Sequence, residues 1–423
     1  MIVRRIDSST LPPALFTMFW VAQAVSLFGD RLHNFSLVAL VNRFAENPGM
    51  TLPKIYLAMY LPIFTLAPLI GALIDRCSKR WVLVVTDLAR GALVICIPLL
   101  FVHTGSFVPI MGIVFLLTTG NLFFSPAKSA LIPELVPSDR LIRVNSILWS
   151  AGIVGMIGGF LGGGLIFDYV SWQSCFYLDG ATYTFSAILL TGIAFRGRAA
   201  AASTAAATER RPSLMASIGE GLAAMRRSAA IMRSIGVQAI VFFGAGGFSV
   251  LAVVLIGKAS PPGSSLGIGI AGLSIGLGMG IGSILANRIP AERRGLLERV
   301  LFVLLVPAAA SFATGEGYVA ITSGSFFAGL AAAPLVIVAE SELQHRIGTR
   351  LRGIIFSFRE ILTRSLFVGS AFLFGILGNS IHNGVLLVIL GLFLASIGVT
   401  WLVAMDDSRR TSTGTSGGPD GDH

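Results

Sequence analysis

The first long apolar stretch of the chain, residues 14–41, carries four polar side chains past its middle: Asp30, Arg31, His33 and Asn34. On a helix, Asp30, His33 and Asn34 share one face, because they are three and four residues apart, whereas Arg31 points about 100° away. A carboxylate beside an imidazole can take up and release a proton, so Asp30 and His33 are candidates for proton or ion coupling. The alternative is a structural polar cluster in which Arg31 is the partner of Asp30.

A second group of charged side chains lies in another apolar stretch, residues 354–378, and consists of Arg359, Glu360 and Arg364. Glu360 precedes Arg364 by four residues, which is the favourable order for an ion pair on a helix. If the helix begins near Arg352, Arg364 lies ~18 Å along its axis. Arg364 could then bind an anionic substrate group or neutralise Asp30, or it could simply close an ion pair with Glu360. The sequence leaves these readings open.

Other kinds of chemistry lack their signatures in this sequence. There is no phosphate-binding P-loop, no metal-ligand spacing of His, Cys and Glu, and no nucleophile elbow. The three cysteines, Cys77, Cys96 and Cys175, have no paired spacing and are predicted to be free thiols. We therefore expect no enzyme activity, no metal and no cofactor.

The composition defines the elements that must position these residues. The 423 residues are 54% hydrophobic and only 12% charged, with a mean hydropathy of +0.82, whereas soluble proteins carry about 25% charged residues. Apolar runs of ~20 residues are typical of membrane-spanning helices. Twelve such spans are predicted, near residues 14–41, 53–74, 82–102, 107–127, 144–167, 174–195, 234–257, 264–287, 298–313, 318–340, 354–378 and 384–404. The predicted fold class is an all-α membrane protein.

The positive charges predict an orientation. With both termini in the cytoplasm, 24 of the 31 Lys and Arg residues lie in cytoplasmic segments, three lie outside, and four lie within spans. Cytoplasmic loops of membrane proteins carry this excess of Lys and Arg. The bias also accounts for the net charge of +10 without a nucleic acid partner.

A polar segment divides the twelve spans into six and six. The predicted domains are an N-terminal six-helix half (residues 1–195), a cytoplasmic linker (196–233), a C-terminal six-helix half (234–405) and a disordered tail (406–423). Parallel six-helix repeats with a substrate site between them are a known transporter architecture.

The loop between the second and third spans reads Gly71-Ala72-Leu73-Ile74-Asp75-Arg76-Cys77-Ser78-Lys79-Arg80. It resembles the corresponding loop of the major facilitator superfamily, whose pattern is G-x-L-x-D-R-x-G-R-R, with Ser78 in place of the last glycine. The resemblance implies a conformational gate in which the aspartate meets the start of the eleventh span near Gly353. The gate candidates are Gly71, Asp75, Arg76, Lys79, Arg80 and Gly353.

Further motifs resemble one branch of that superfamily, which includes macrolide-efflux and enterobactin-exporter-type proteins. They are Asp87-Leu88-Ala89-Arg90, Ser125-Pro126-Ala127, Ile132-Pro133-Glu134-Leu135-Val136-Pro137, Arg140-Leu141 with Val144-Asn145, and Leu351-Arg352-Gly353. The resemblance implies that the spans carrying Asn34, Asn121, Gln238 and Phe242 line a substrate cavity.

The fifth span is rich in glycine. Gly155, Gly159 and Gly163 form one helical stripe, and Gly158 and Gly162 form another. In antiporters of the superfamily this span carries a glycine-proline motif that shapes closure, and here Gly159 stands where proline is usual. Close helix packing through small residues explains the glycines equally well, and we predict packing that permits sliding.

These features together predict a secondary active transporter of the inner membrane. We expect a monomer that exports an amphipathic small molecule, drug-like, macrolide-like or siderophore-like, by proton antiport and alternating access among membrane lipids. The first alternative is a lipid or lysolipid translocator. Transport that proceeds without a proton gradient would distinguish this alternative from proton antiport. A membrane receptor or scaffold that does not transport is the alternative from another class.

Overall fold

The structure is a computed structural model that describes most of the chain. The described residues are 13–74, 77–135, 141–196, 223, 225, 228–261, 264–290, 293–314, 317–347 and 349–414. Asp75 and Arg76 of the predicted gate, most of the predicted linker and residues 415–423 of the predicted tail lie outside them.

Throughout the described residues the secondary structure is helical. The helices are α1 (Pro13–Phe44), α2 (Pro48–Thr65), α3 (Ala67–Ile74), α4 (Lys79–Thr104), α5 (Val108–Leu135), α6 (Leu141–Tyr169), α7 (Trp172–Arg196), α8 (Ala229–Ala259), α9 (Leu266–Asn287), α10 (Arg294–Thr314), α11 (Tyr318–Arg346), α12 (Thr349–Leu377) and α13 (Asn383–Gly414). Only Leu66 separates α2 from α3, so these two helices form one broken span. The predicted all-α class with twelve spans is confirmed.

The helices follow from the solvent in which they lie. In hydrocarbon every backbone N–H and C=O must be bonded within the protein, and a helix bonds them within one segment. Eight of the described helices are long and apolar enough to cross a bilayer: α4, α5, α8, α9, α10, α11, α12 and α13. The protein is therefore a multi-pass membrane protein.

The helical bounds differ from the predicted spans mainly at two places. Helix α8 begins at Ala229, inside the predicted linker, where Ser228 Oγ accepts a hydrogen bond from the Ile231 backbone N–H. Helix α13 continues to Gly414, so residues 406–414 of the predicted tail are helical. The Asp406 carboxylate, which accepts a 2.6 Å hydrogen bond from Arg299, ties this extension to α10.

The described chain forms two compact units. Unit 1 comprises residues 1–46, 54–207 and 263–273, and unit 2 comprises residues 47–53, 208–262 and 274–423.

In unit 1, α1 packs against α6 and α7, and α4 packs against α5 and α7. Phe19, Leu83, Phe124 and Leu131 are buried together in one cluster of its core. These contacts bring the polar positions of α1, α4 and α7 to the same interior region, which is where the candidate site of this unit lies.

In unit 2, α8 packs against α11, α12 and α13, and α10 packs against α11 and α13. A buried ionic network joins four of these helices through Arg233 of α8. Its guanidinium pairs with Glu298 of α10, lies 3.3 Å from Glu342 of α11 and lies 3.6 Å from Asp406 of α13. Because Glu298 is fully buried, this network acts as a brace for the helix ends.

Glycines of α6 set the distance between α6 and α1. A methyl group added at Gly159 would lie 2.7 Å from Arg31 Cβ and 2.9 Å from the Leu32 backbone nitrogen. One added at Gly163 would lie 2.5 Å from the Phe35 ring, whereas one at Gly162 would meet no atom within 4 Å. Gly155 and Gly158 face Phe28 more loosely, at 3.3 and 3.4 Å.

We expect Gly159→Ala to destabilise the protein by ~1–3 kcal/mol, the usual cost of overpacking a close contact, because the nearest atoms are Arg31 Cβ and the α1 backbone to which it is attached, and these cannot move aside. Gly162→Ala is the matched control and should be neutral or slightly stabilising, since alanine is the better helix former. Chemical unfolding of both purified variants measures the difference. Equal stability of the two variants would contradict the packing role of Gly159.

Candidate functional site

The carboxylate of Asp30 is bonded across to α7 in unit 1. It accepts a hydrogen bond from Tyr183 Oη, and Asn34 Nδ2 donates to the Asp30 backbone carbonyl at 2.8 Å. Asp30 is partly buried and Tyr183 is buried. Asp30 lies about 26 Å along α1, so the tyrosine hydroxyl is a partner at membrane depth.

His33 lies one turn further along the same face of α1. Its Nδ1 atom is 3.3 Å from the carboxylate of Asp179, which is fully buried in α7. The imidazole also meets the Phe176 ring edge to face, with 5.9 Å between the ring centroids. His33 and Asp179 therefore form a second acid–base contact between α1 and α7.

An ion pair between Asp87 and Arg90 of α4 is connected to Asp30 through Tyr183. The Arg90 guanidinium pairs with Asp87, and Ser186 Oγ donates to the same carboxylate at 2.6 Å. The guanidinium also lies against the Phe124 and Tyr183 rings, 4.3 and 4.7 Å from their centroids. The tyrosine thus contacts Arg90 through its ring and Asp30 through its hydroxyl.

Arg31, which the sequence offers as the partner of Asp30, does not pair with it. Among the described residues no carboxylate forms an ion pair with Arg31, and its Nε atom is buried without a hydrogen-bond partner. Arg31 points toward α6, where its Cβ lies beside Gly159. The roughly 100° between successive side chains on a helix explains why Asp30 faces α7 while Arg31 does not.

In unit 2 the charged residues predicted on α12 lie together and gain a partner from α11. Arg364 Nε lies 2.8 Å from Glu360, and Arg359 lies 3.1 Å from Glu360 and pairs with Glu340. All four side chains are partly exposed. The predicted pair of Glu360 and Arg364 is present, and Glu340 extends it to a chain of alternating charges.

Of the predicted cavity residues on α5 and α8, one contacts another predicted site residue that the structure describes and two do not. Phe242 of α8 lies under the Arg364 guanidinium, which is 5.1 Å from its ring centroid. Gln238, one turn before Phe242, is buried, and its Nε2 has no partner among the described residues. Asn121 is exposed on α5. Phe242 and Arg364 are therefore in contact, whereas Asn121 takes part neither in this contact nor in the polar contacts of unit 1 given above.

The gate candidates are only partly described. Gly71 belongs to α3, Lys79 and Arg80 begin α4, and Gly353 lies near the start of α12. A methyl group added at Gly353 would meet no atom within 4 Å. Since Asp75 and Arg76 lie outside the described residues, the gating role stays a prediction.

The described residues include no group of three or more His, Cys, Asp and Glu side chains that could hold a metal ion. Within the same part of the chain the three cysteines are unpaired thiols, with Cys77 and Cys96 exposed and Cys175 buried. The arrangement brings carboxylate, imidazole and hydroxyl groups together in unit 1 and alternating charges together in unit 2.

Sequence reasoning assigned no role to Asp179, Tyr183 or Ser186. A signal was available: Asp179, Thr182, Tyr183 and Ser186 follow one another at helical spacing along an apolar span, and such a stripe predicts a polar face. Glu340 was missed because it lies near the end of its span, where a charge is ordinary.

A comparison with protein families decides the class. The family model described as the Major Facilitator Superfamily matches residues 19–366 of this chain. The chain belongs to the Major Facilitator Superfamily.

Individual relatives of this superfamily protein agree with that assignment. It is 24% identical over 410 residues to the uncharacterized MFS-type transporter YfiS of Bacillus subtilis, covering 92% of this chain and 93% of the relative. It is 28% identical over 165 residues to the lysophospholipid transporter LplT of Serratia proteamaculans, covering 38% of this chain and 39% of the relative. The aligned part thus spans well under half of that lysophospholipid transporter.

Solved structures show the same fold. A bacterial homologue of the human lysosomal transporter Spinster, in an inward-facing and unoccupied conformation, matches with a TM-score of 0.65 and 11% identity, covering 93% of this chain and 94% of the other. At this identity the likeness establishes the fold alone. The family match over residues 19–366 and the transporter relatives show that the chain is a member of a transporter family rather than an enzyme.

Proposed function

We propose that this protein is a secondary transporter that moves an amphipathic molecule with a charged headgroup, of the lysophospholipid type, across the inner membrane by alternating access. The observation that carries the proposal is the group formed by Glu360, Arg364 and Phe242. Two opposite charges and an aromatic face lie together there in the middle part of a membrane-spanning helix pair.

The exposure of these side chains is informative because of their depth. Arg364 is 26% exposed and Glu360 33% exposed, and Arg364 lies about 22 Å along α12. A charge at this depth is costly in lipid and faces protein or a water-filled cavity. The exposed parts of both side chains are therefore available to a ligand that enters from water.

The sign and spacing of the charges fit a zwitterionic headgroup. A guanidinium binds phosphate oxygens through paired hydrogen bonds, and the Glu360 carboxylate can accept from an ammonium group. Phe242 already holds the Arg364 cation against its ring, so it can also pack on a cationic or apolar part of the ligand. The partial match to a lysophospholipid transporter supports the same substrate class.

Transport of a labelled lysophospholipid in proteoliposomes tests the proposal. Wild-type protein should move the lipid faster than empty liposomes do. Glu360→Gln and Arg364→Gln should each lower the rate, whereas Arg346→Gln, a charge removal at an exposed pair of the same unit, should not. Equal rates in empty and protein-containing liposomes would refute the lysolipid substrate.

A second candidate function is proton-coupled export of an amphipathic drug-like molecule. The contacts of Asp30 with Tyr183 and of His33 with Asp179 favour it, because they are titratable pairs at membrane depth. The same liposomes distinguish the candidates, since proton antiport requires an imposed pH gradient and lipid translocation proceeds without one. Absence of flux for every substrate would leave the receptor or scaffold reading.

The inner membrane and cytoplasmic termini are part of the proposal and rest on the charge bias of 24 to three. The positive-inside rule, counted over the short loops of the chain, supports this orientation.

A further inference from the structure

Arg31 stands apart from the other arginines that lie inside the helices. Arg90 pairs with Asp87, Arg233 with Glu298, Arg359 with Glu340 and Arg364 with Glu360. Arg31 forms no ion pair or ring contact with any residue that the structure describes, and its buried Nε has no hydrogen-bond partner there. Arg90, Arg359 and Arg364, which lie within predicted spans, each pair with a carboxylate, whereas Arg31, the fourth arginine within a span, pairs with none that the structure describes.

The position of Arg31 makes the departure costly. It lies about 4 Å from the midpoint of α1, measured along the helix axis. An arginine at this depth faces the protein interior or a water-filled cavity and has a partner there. The neighbouring carboxylate, that of Asp30, is directed to Tyr183 on the α7 side.

The α6 residues that pack beside Arg31 include several glycines. From residue 158 to residue 163, α6 has four glycines, Gly158, Gly159, Gly162 and Gly163. Gly159 lies directly against Arg31 Cβ, and a methyl group at Gly162 would meet no atom within 4 Å. The side chain is partly exposed beyond its buried Nε. The exposed part of this unpaired side chain is therefore accessible to a compact oxyanion.

The side chains of α6 that are not described do not supply a carboxylate for Arg31 either. The part of α6 without described side chains, residues 141–151 and 153, contains no Asp or Glu. The partner of Arg31 must therefore come from elsewhere than the α6 face on which it packs.

We propose that Arg31 binds the anionic oxygens of the transported molecule, a phosphate or carboxylate group, at the interface of α1 and α6. A guanidinium is suited to this because its planar fork pairs with two oxygens of either group. The inference deepens the proposed function, on which it rests in so far as the anion belongs to the transported molecule.

Equilibrium binding of short amphiphiles to the full-length protein in nanodiscs tests the proposal. Four ligands share a decyl tail and differ in the headgroup: decyl phosphate, decanoate, decyl maltoside and decyltrimethylammonium. Wild-type protein should bind decyl phosphate or decanoate more tightly than decyl maltoside, and which of the two it prefers identifies the oxyanion. An equal affinity for all four would overturn the proposal.

Arg31→Gln should weaken binding of the preferred anion by about tenfold or more, the ratio expected for a charge-assisted hydrogen bond, and leave decyl maltoside unchanged. Arg43→Gln is the matched control, because Arg43 is exposed near the end of the same helix, beside the Phe44 and Phe167 rings. It should bind all four ligands as the wild type does. Unchanged anion binding by Arg31→Gln would refute the assignment.

If Arg31→Gln does not fold, Arg31→Lys and Arg31→Met give the same comparison, because lysine keeps the charge and methionine removes it. Lysine should keep the anion preference and methionine should lose it. Equal binding by both, or failure of all three variants to fold, would mean that Arg31 has a structural role only.

The two proposals fail separately. Lysolipid transport that persists at the wild-type rate in Arg31→Gln would refute the role of Arg31 and leave the proposed function intact. Anion binding that depends on Arg31 without any lysolipid transport would refute the proposed substrate and leave the anion site intact.

Discussion

Under the second candidate function, proton-coupled export, an Asp30→Asn variant is expected to bind its substrate and exchange it downhill but to lose accumulation against a gradient. Asparagine imitates the protonated carboxyl group, so the variant cannot load and release a proton. The hydrogen bond from Tyr183 Oη can still be accepted by the amide oxygen, which favours correct folding. Uptake into proteoliposomes with and without an imposed pH gradient measures both activities.

Two controls separate the carboxylate from its surroundings. Glu46→Gln removes an exposed acid just beyond α1 and should leave accumulation intact. Tyr183→Phe keeps the ring that Arg90 contacts and removes only the hydroxyl, so it tests the hydrogen bond by itself. Accumulation that survives in Asp30→Asn would exclude Asp30 as the coupling site. Joint loss of binding and folding would identify Asp30 as a brace between α1 and α7.

Asp87→Asn is expected to destabilise the protein by ~3–5 kcal/mol, the usual cost of removing one partner of a buried ion pair. Asp87 is fully buried and Arg90 is 3% exposed, so the guanidinium would remain in the interior without its counter-charge. The two aromatic rings beside Arg90 offset only part of this cost, since cation–π contacts contribute about 0.5–2 kcal/mol. Chemical unfolding in detergent measures the change.

Arg346→Gln serves as the control for the loss of an ion pair as such. Arg346 is 52% exposed and lies 3.5 Å from Glu342, and an exposed pair contributes at most about 1 kcal/mol. The double variant Asp87→Asn with Arg90→Met should recover stability relative to Asp87→Asn, because it removes the uncompensated charge. A double variant no more stable than the single one would show that the cost does not arise from burying Arg90.

The class of protein and the order of its helices could be derived from local sequence patterns. Hydrophobic runs of bilayer length require helices, and this requirement is local, so the twelve spans were predictable within a few residues. The ion pair of Glu360 and Arg364 was predictable for the same reason, since helical geometry places residues four apart side by side. Some helices are longer than their apolar runs because polar contacts stabilise the additional turns, as the contact of Asp406 with Arg299 does for α13.

The pairing of the charged side chains, in contrast, depends on how the helices pack against one another. Asp30 and Arg31 are adjacent in sequence, yet α7 supplies the partner of Asp30, and Arg31 faces the glycines of α6. His33 meets Asp179, and Arg359 meets Glu340, across pairs of helices whose mutual rotation no local pattern specifies. Helix packing in a membrane depends on the close fit of small residues, here on contacts such as that of Gly159 with Leu32. Such a fit exists only between two segments, and therefore it cannot be read from either one alone.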